Sequence, residues 1–308
     1  MRSAFIKWLC DKAEQDASIV LLTADLGFSV VEPFAERFPD RFINVGVAEQ
    51  NMVGIAAGMA SEGMKLFTYS IGIFPTFRCA EQLRNDIDYH RLPVMTCMVG
   101  SGVTYGALGY SHHAVQDIAL MRTLPNTMIG CPASPYETLA LLDWHYQNPC
   151  PLYLRLHKAG DPEIHSASLN CAPGQWIPLT SLPESVGASV DTCILTIGFL
   201  GHRVCKLVEE LGIPCPVFSL PLWGQASRAS QRKYLSQYKH IITVEDHLLD
   251  GGFGSWQLEN ASIFQSDCKI TSVTLPLDTV GQVACEATLV RPLLNRLIEV
   301  VTALPAAG

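Results

Sequence analysis

The stretch FINVGVAEQNMVGIAAGMA, residues 42–60, sets one carboxylate among small and apolar residues. Glu49 follows Asn44, Val45, Gly46, Val47 and Ala48, and it precedes a run made almost wholly of Met, Val, Gly, Ile and Ala. RFINVG (41–46) reads as a short strand, and AEQNMVGIAAGMASEG (48–63) as a helix stopped by Gly63. An acidic side chain is favoured at a helix N-terminus, so a capping role is one reading of Glu49. The other is a functional carboxyl held where its neighbours are built for burial.

Outward from this point, apolar strands alternate with helices. ASIVLLTADLG (17–27), MKLFTYS (64–70), LPVMTCMVG (92–100), TMIGCPA (127–133) and PLYLRL (151–156) read as strands. RCAEQLRNDIDYHR (78–91) and ETLALLDWHYQ (137–147) read as helices between them. The segment 161–187 is rich in Pro, Ser and Gly and reads as a linker, with a strand at QWIPL (175–179). The alternation then restarts. DTCILTIGF (191–199), IPCPVFSLPLW (213–223), KHIITVED (239–246) and KITSVTLP (269–276) read as strands. GHRVCKLVEELG (201–212), stopped by Gly212, and GSWQLENAS (254–262) read as helices. The expectation is an α/β protein with two open, mostly parallel sheets covered by helices on both faces. Its units are residues 1–160 and 188–308.

Composition narrows the classes. Of 308 residues, 48% are hydrophobic and 16% charged, so part of the apolar excess is expected to be interface. A net charge of −8 without a basic stripe argues against nucleic acid as the main partner. No uninterrupted apolar run reaches the roughly 20 residues of a membrane span. The opening MRSAFIKWLCDKAEQDASIV reads as an amphipathic helix, not a signal peptide. The eleven cysteines form no C-x-x-C and mostly sit in apolar runs such as PVMTCMV. They read as reduced, structural thiols of a cytoplasmic protein.

In open sheets of this kind, ligands bind beyond the carboxyl ends of the strands. Asp25, Glu49 and the glycine-rich loop SGVTYGALGYSHH (101–113) fall at such ends in the first unit, and Glu245 and Asp246 in the second. Asp25 also reads as a turn cap, and His112 and His113 as ordinary loop histidines. No G-x-G-x-x-G follows the first strand and no P-loop is present, so nucleotide readings lack a motif.

The segment 42–60, followed in order by EQLRNDIDYHRLPV (81–94) and DIALMRTLPNTMIGCPAS (117–134), resembles the C-terminal half of the transketolase family. That half comprises a pyrimidine-binding domain and a C-terminal α/β domain. The family uses thiamine diphosphate, and the resemblance implies that Glu49 bonds a ring nitrogen of its aminopyrimidine. There it stabilises the imino tautomer that deprotonates the thiazolium carbon. A carboxyl in apolar surroundings keeps its proton more readily than one in water, which suits sharing a proton with that nitrogen.

The resemblance also places Phe74, with Phe77, against the pyrimidine ring, and puts Ile71 where the family has a further aromatic. Asp25 matches an acid near the cofactor and Ser29 a substrate-phosphate contact. His112 matches a histidine that contacts a substrate hydroxyl or carbonyl, and Arg155 an arginine that helps bind the substrate phosphate.

Departures from the family pattern are as informative. The acidic loop G-E-D-G is GALG here, with Ala107 and Leu108 in place of both acids, and Gly100 replaces a sugar- or phosphate-binding histidine. A site that lacks a polar partner disfavours the ligand that needs it. The expected substrate is therefore a modified or nucleotide-linked sugar in place of the usual ketose phosphates. The family's metal- and diphosphate-binding G-D-G is absent. The resemblance thus implies one subunit of a split enzyme, with Mg²⁺ ligands on an N-terminal partner subunit and an α₂β₂ assembly. The alternatives are the β subunit of a 2-oxoacid dehydrogenase and a non-catalytic scaffold.

Overall fold

Every residue of IVLLT (19–23) is buried, as expected for a strand covered on both faces. Ile19 and Leu21 join one core and Val20 and Leu22 the other, which is the period-two alternation of a strand set between two layers. The computed structural model describes residues 1–158, 160–180 and 191–304. Its strands are β1 (Ile19–Thr23), β2 (Phe42–Asn44), β3 (Lys65–Ile71), β4 (Val94–Val99), β5 (Met128–Gly130) and β6 (Leu152–Leu156). After them come β7 (Ile177–Pro178), β8 (Thr192–Thr196), β9 (Val217–Ser219), β10 (Leu222–Trp223), β11 (His240–Val244) and β12 (Lys269–Val273).

The first sheet has seven strands in the order β10-β5-β6-β4-β3-β1-β2, and the second has five in the order β12-β11-β8-β9-β7. Pairing is parallel throughout except where β10 meets β5 and β7 meets β9. From β1 the chain runs outward to β2, then returns across β1 to lay down β3 on its other side. The switch point therefore lies between β1 and β3, where such sheets leave a crevice for a ligand.

Two expectations change. IPCPVFSLPLW is not one strand: Val217–Ser219 pairs in the second sheet, whereas Leu222–Trp223 pairs with Gly130 and Ile129 in the first. Pro221 between them cannot donate to a ladder, and the chain changes sheet there. RCAEQLRNDIDYHR is not one regular helix. It begins as a short turn, Ala80–Gln82, and continues as a π-helical segment, Leu83–Asp88. Within the expected linker, residues 181–187 lie outside the described residues. Among the described residues no helix is long and apolar enough to cross a membrane, and all eleven cysteines are free.

Candidate active site

The loop after β2 carries Glu49 to the first position of the helix Glu49–Ser61. Its apolar stripe (Met52, Val53, Ala56, Ala60) packs into the core and buries the head of the helix with it. Glu49 is itself buried. Its surroundings are not wholly apolar, because Oε1 accepts a hydrogen bond from Arg78 Nη1 at 2.9 Å. Dipole and ion pair thus act together at this helix N-terminus.

Arg78 comes from the short helical turn that follows β3. Its guanidinium carbon lies 3.9 Å from the Phe74 ring centroid, a cation–π contact that fixes the plane of the fork. Phe74 in turn meets His112 edge-on, with centroids 5.2 Å apart. His112 Nδ1 is 3.0 Å from the Ser111 hydroxyl. Burial, reinforced by the Arg78 charge, holds His112 below the ordinary histidine value, so its ring is neutral at pH 7. A continuous string Glu49–Arg78–Phe74–His112 therefore spans the ends of β2, β3 and β4. Ile71 closes β3 at the same sheet end, and Phe77 stands half exposed one turn beyond Phe74.

Asp25 follows β1 at the same end of the sheet. Its backbone N–H donates to Asn44 Oδ1 at 2.9 Å, and Asn44 Nδ2 donates back to its carboxylate at 3.3 Å. The acid is thereby tied to the end of β2. Ser29, at φ 62°, lines a hollow of about 350 Å³ with Arg2, Lys7 and Arg37. Leu108, on the loop after β4, is 58% exposed, as are Phe28 (73%) and Val47 (75%) after β1 and β2. Large apolar side chains therefore ring the strand ends without cover.

Gly100 has a structural cause. Its φ is +98°, and a Cβ there would run into the Tyr105 ring. The space a histidine would use is filled by a tyrosine, so no room has been vacated.

Arg155 requires a correction. It is fully buried, not presented to a ligand. Its Nε donates to Asp117 at 2.7 Å, Nη1 to Asp246, and Nη2 to the Ala114 carbonyl at 2.6 Å. Tyr153 donates to the same Asp117 at 2.6 Å. With every nitrogen committed, the guanidinium ties β6 to the segment after β11 and presents no N–H to a phosphate. Asp246 is fully buried as well, with Oδ1 on this guanidinium. Glu245 accepts the N–H groups of Phe253 (2.5 Å) and Gly254 (2.7 Å) at the head of the helix Phe253–Ile263. His113 is buried against the Gly106 carbonyl. None of these three is open to a ligand.

An aminopyrimidine needs a flat aromatic wall and a fixed acceptor for a ring nitrogen. The buried Glu49 carboxylate, whose hydrogen bond occupies one oxygen, and the neighbouring Phe74 and His112 rings fit those demands. Among the described residues, no group of three or more His, Cys, Asp or Glu side chains could hold a metal ion.

Open sheets of this order with helices on both faces have the architecture of the transketolase pyrimidine-binding and C-terminal domains. Residues 1–160 match the transketolase pyrimidine-binding domain. An apulose-4-phosphate transketolase subunit of Actinobacillus succinogenes is 33% identical over 233 residues, 73% of this chain and 71% of that protein. The putative transketolase C-terminal section of Methanocaldococcus jannaschii is 31% identical over 266 residues, 82% of this chain and 79% of that protein. A solved split-gene transketolase, described as an inactive β4 tetramer, has a TM-score of 0.80 at 29% identity and covers 98% of this chain and 97% of its own. The chain belongs to the transketolase family.

Proposed function

We propose that the chain is the C-terminal subunit of a split, thiamine-diphosphate-dependent transketolase, moving a two-carbon ketol unit between sugars and active only with an N-terminal partner subunit. The observation that carries this is the buried Glu49 carboxylate at the switch point, set beside Phe74 and His112. The cofactor, when bound, supplies the carbon that takes up and releases the two-carbon unit. Glu49 would hold a proton at a nitrogen of its pyrimidine ring, while Phe74, Phe77 and Ile71 wall that ring and Asp25 borders it. His112, neutral at pH 7, is free to donate to or accept from a sugar oxygen. The diphosphate and Mg²⁺ fall to the partner, since this chain has no G-D-G. That subunit would also cover Phe28, Val47 and Leu108, and an α₂β₂ assembly would pair two such sites. Eleven free thiols suit a reducing cytoplasm.

For the substrate we propose a phosphorylated sugar other than the common ketose phosphates. The relatives named for apulose-4-phosphate support a phosphorylated sugar over a nucleotide-linked one. Leu108 offers apolar surface where an acid would hold a hydroxyl, and Ser29 with Arg2 is the candidate phosphate contact in place of Arg155. The test is a donor panel with and without that hydroxyl, assayed on the reconstituted complex and on Leu108→Asp. An unmet hydrogen bond costs roughly 1–3 kcal/mol, so the deoxygenated donor should gain about 5- to 150-fold in kcat/KM, and Leu108→Asp should reverse this. A wild type that strongly favours ordinary ketose phosphates, unchanged in Leu108→Asp, overturns the substrate proposal.

A further inference from the structure

No sequence motif marks Arg78, yet it touches two of the groups the site depends on and its charge reaches a third. It donates to Glu49 Oε1 at 2.9 Å, lies 3.9 Å from the Phe74 ring centroid, and contributes its charge at His112. The carboxylate it holds is buried, whereas about half of Arg78 is exposed. We propose that Arg78 is a positioning residue for Glu49, holding one carboxylate oxygen so that the other is presented to the ring of the cofactor. This rests on the function proposed above.

Glutamate has three rotatable side-chain bonds, and a carboxylate that must meet a ring nitrogen cannot wander by much more than half an ångström. A guanidinium suits the task because it is planar, permanently charged and able to stack while it donates. Phe74 fixes its plane and Glu49 receives its N–H, so one aromatic side chain orients both the expected ring wall and the acid. Lysine would supply the charge without the plane. Cys79, next to Arg78 in the chain, has its thiol pushed up to about 12 by burial and by the Glu49 charge, so it stays neutral and does not compete for Arg78. The same guanidinium disfavours a second cation on His112. One arginine thus orients the acid and adds to the burial that lowers His112.

The test uses the complex reconstituted with its N-terminal subunit, Mg²⁺ and thiamine diphosphate, without sugar. Exchange of the thiazolium proton with deuterated solvent is followed by NMR after acid quench, and cofactor affinity is measured by calorimetry. Misplacing an acid by about an ångström costs on the order of 100-fold, so Arg78→Gln should slow exchange by roughly 10- to 100-fold at pH 7 and weaken the cofactor. Arg78→Lys, which keeps the charge without the planar fork, should recover only part of the rate and of the affinity. Glu49→Gln is the control for the site itself. If Glu49→Gln loses exchange while both Arg78 variants stay within about twofold of wild type in rate and in cofactor affinity, Arg78 has no positioning role and the site stands. If Glu49→Gln exchanges normally, the proposed function falls first.

Discussion

A single residue shows how far a sequence carries an active-site expectation. Glu49 was legible because a lone carboxylate in an apolar run must have a reason to be there. The structure buries it at the head of its helix. Arg78 was not legible, since an arginine after PTF looks like any solvated cation, and its partner lies 29 positions away. Arg155 misled for the opposite reason. In YLRLHK nothing distinguishes an arginine aimed at a ligand from one buried between two aspartates, because both partners, Asp117 and Asp246, are remote in sequence. Replacing Glu49 with Gln should reduce turnover of the assembled enzyme by about 100- to 1000-fold, the usual effect of removing a preorganised charged group at a reacting centre. The melting temperature of the chain should change little, because Arg78 can turn to solvent. Near-normal turnover of Glu49→Gln at saturating cofactor would leave Glu49 as a helix-terminus residue and no more.

Elements were easier to read than residues, except where the chain changes partner. The fully buried strands are short apolar runs bounded by turn residues, and period and composition alone mark them. The break of 213–223 into β9 and β10 was hidden, because sheet membership is a tertiary choice that an apolar run does not record. The π-helical segment 83–88 was hidden as well, since it has the composition of an ordinary helix. The loop after β4 carries the element-scale expectation. Gly102 adopts φ +58°, and a Cβ there would run into the Asp246 carboxylate. Gly102→Ala should therefore cost about 1–3 kcal/mol, from left-handed strain and overpacking, and should loosen the contact between the loop and the segment after β11. Urea denaturation of the two chains measures it. Equal midpoints would mean that loop and second sheet are not held together at that glycine.

At the scale of the whole molecule, two charge clusters tie the sheets together. The Arg155 cluster is one; His157 centres the other. Its Nδ1 is 2.5 Å from Asp161 and its Nε2 is 3.0 Å from Glu286, while Lys158 and Arg203 also face Glu286 and the N-terminal ammonium faces Asp161. The ring stacks on Phe199. Burial works against the charged ring, but the two carboxylates outweigh it and raise His157 above the ordinary histidine value. Both carboxylates are held below theirs. The stability that His157 contributes is therefore complete below about pH 6.5 and is lost as pH rises through its raised folded value. The contribution of Asp161 and Glu286 is present above about pH 4 and is lost as pH falls through their lowered folded values. Thermal melts from weakly acid to weakly alkaline pH should show wild type falling toward a His157→Gln variant that is lower and flatter. Parallel curves would remove His157 from the account.

The central claim is that this chain supplies half of a thiamine diphosphate site and needs a second subunit for the rest. Titration calorimetry of thiamine diphosphate with Mg²⁺ tests it most directly, first into this chain alone and then into the chain mixed with an N-terminal subunit carrying G-D-G. The isolated chain should bind weakly and without dependence on Mg²⁺, and the mixture tightly and only with Mg²⁺ present. Tight, magnesium-dependent binding by this chain alone would contradict the claim.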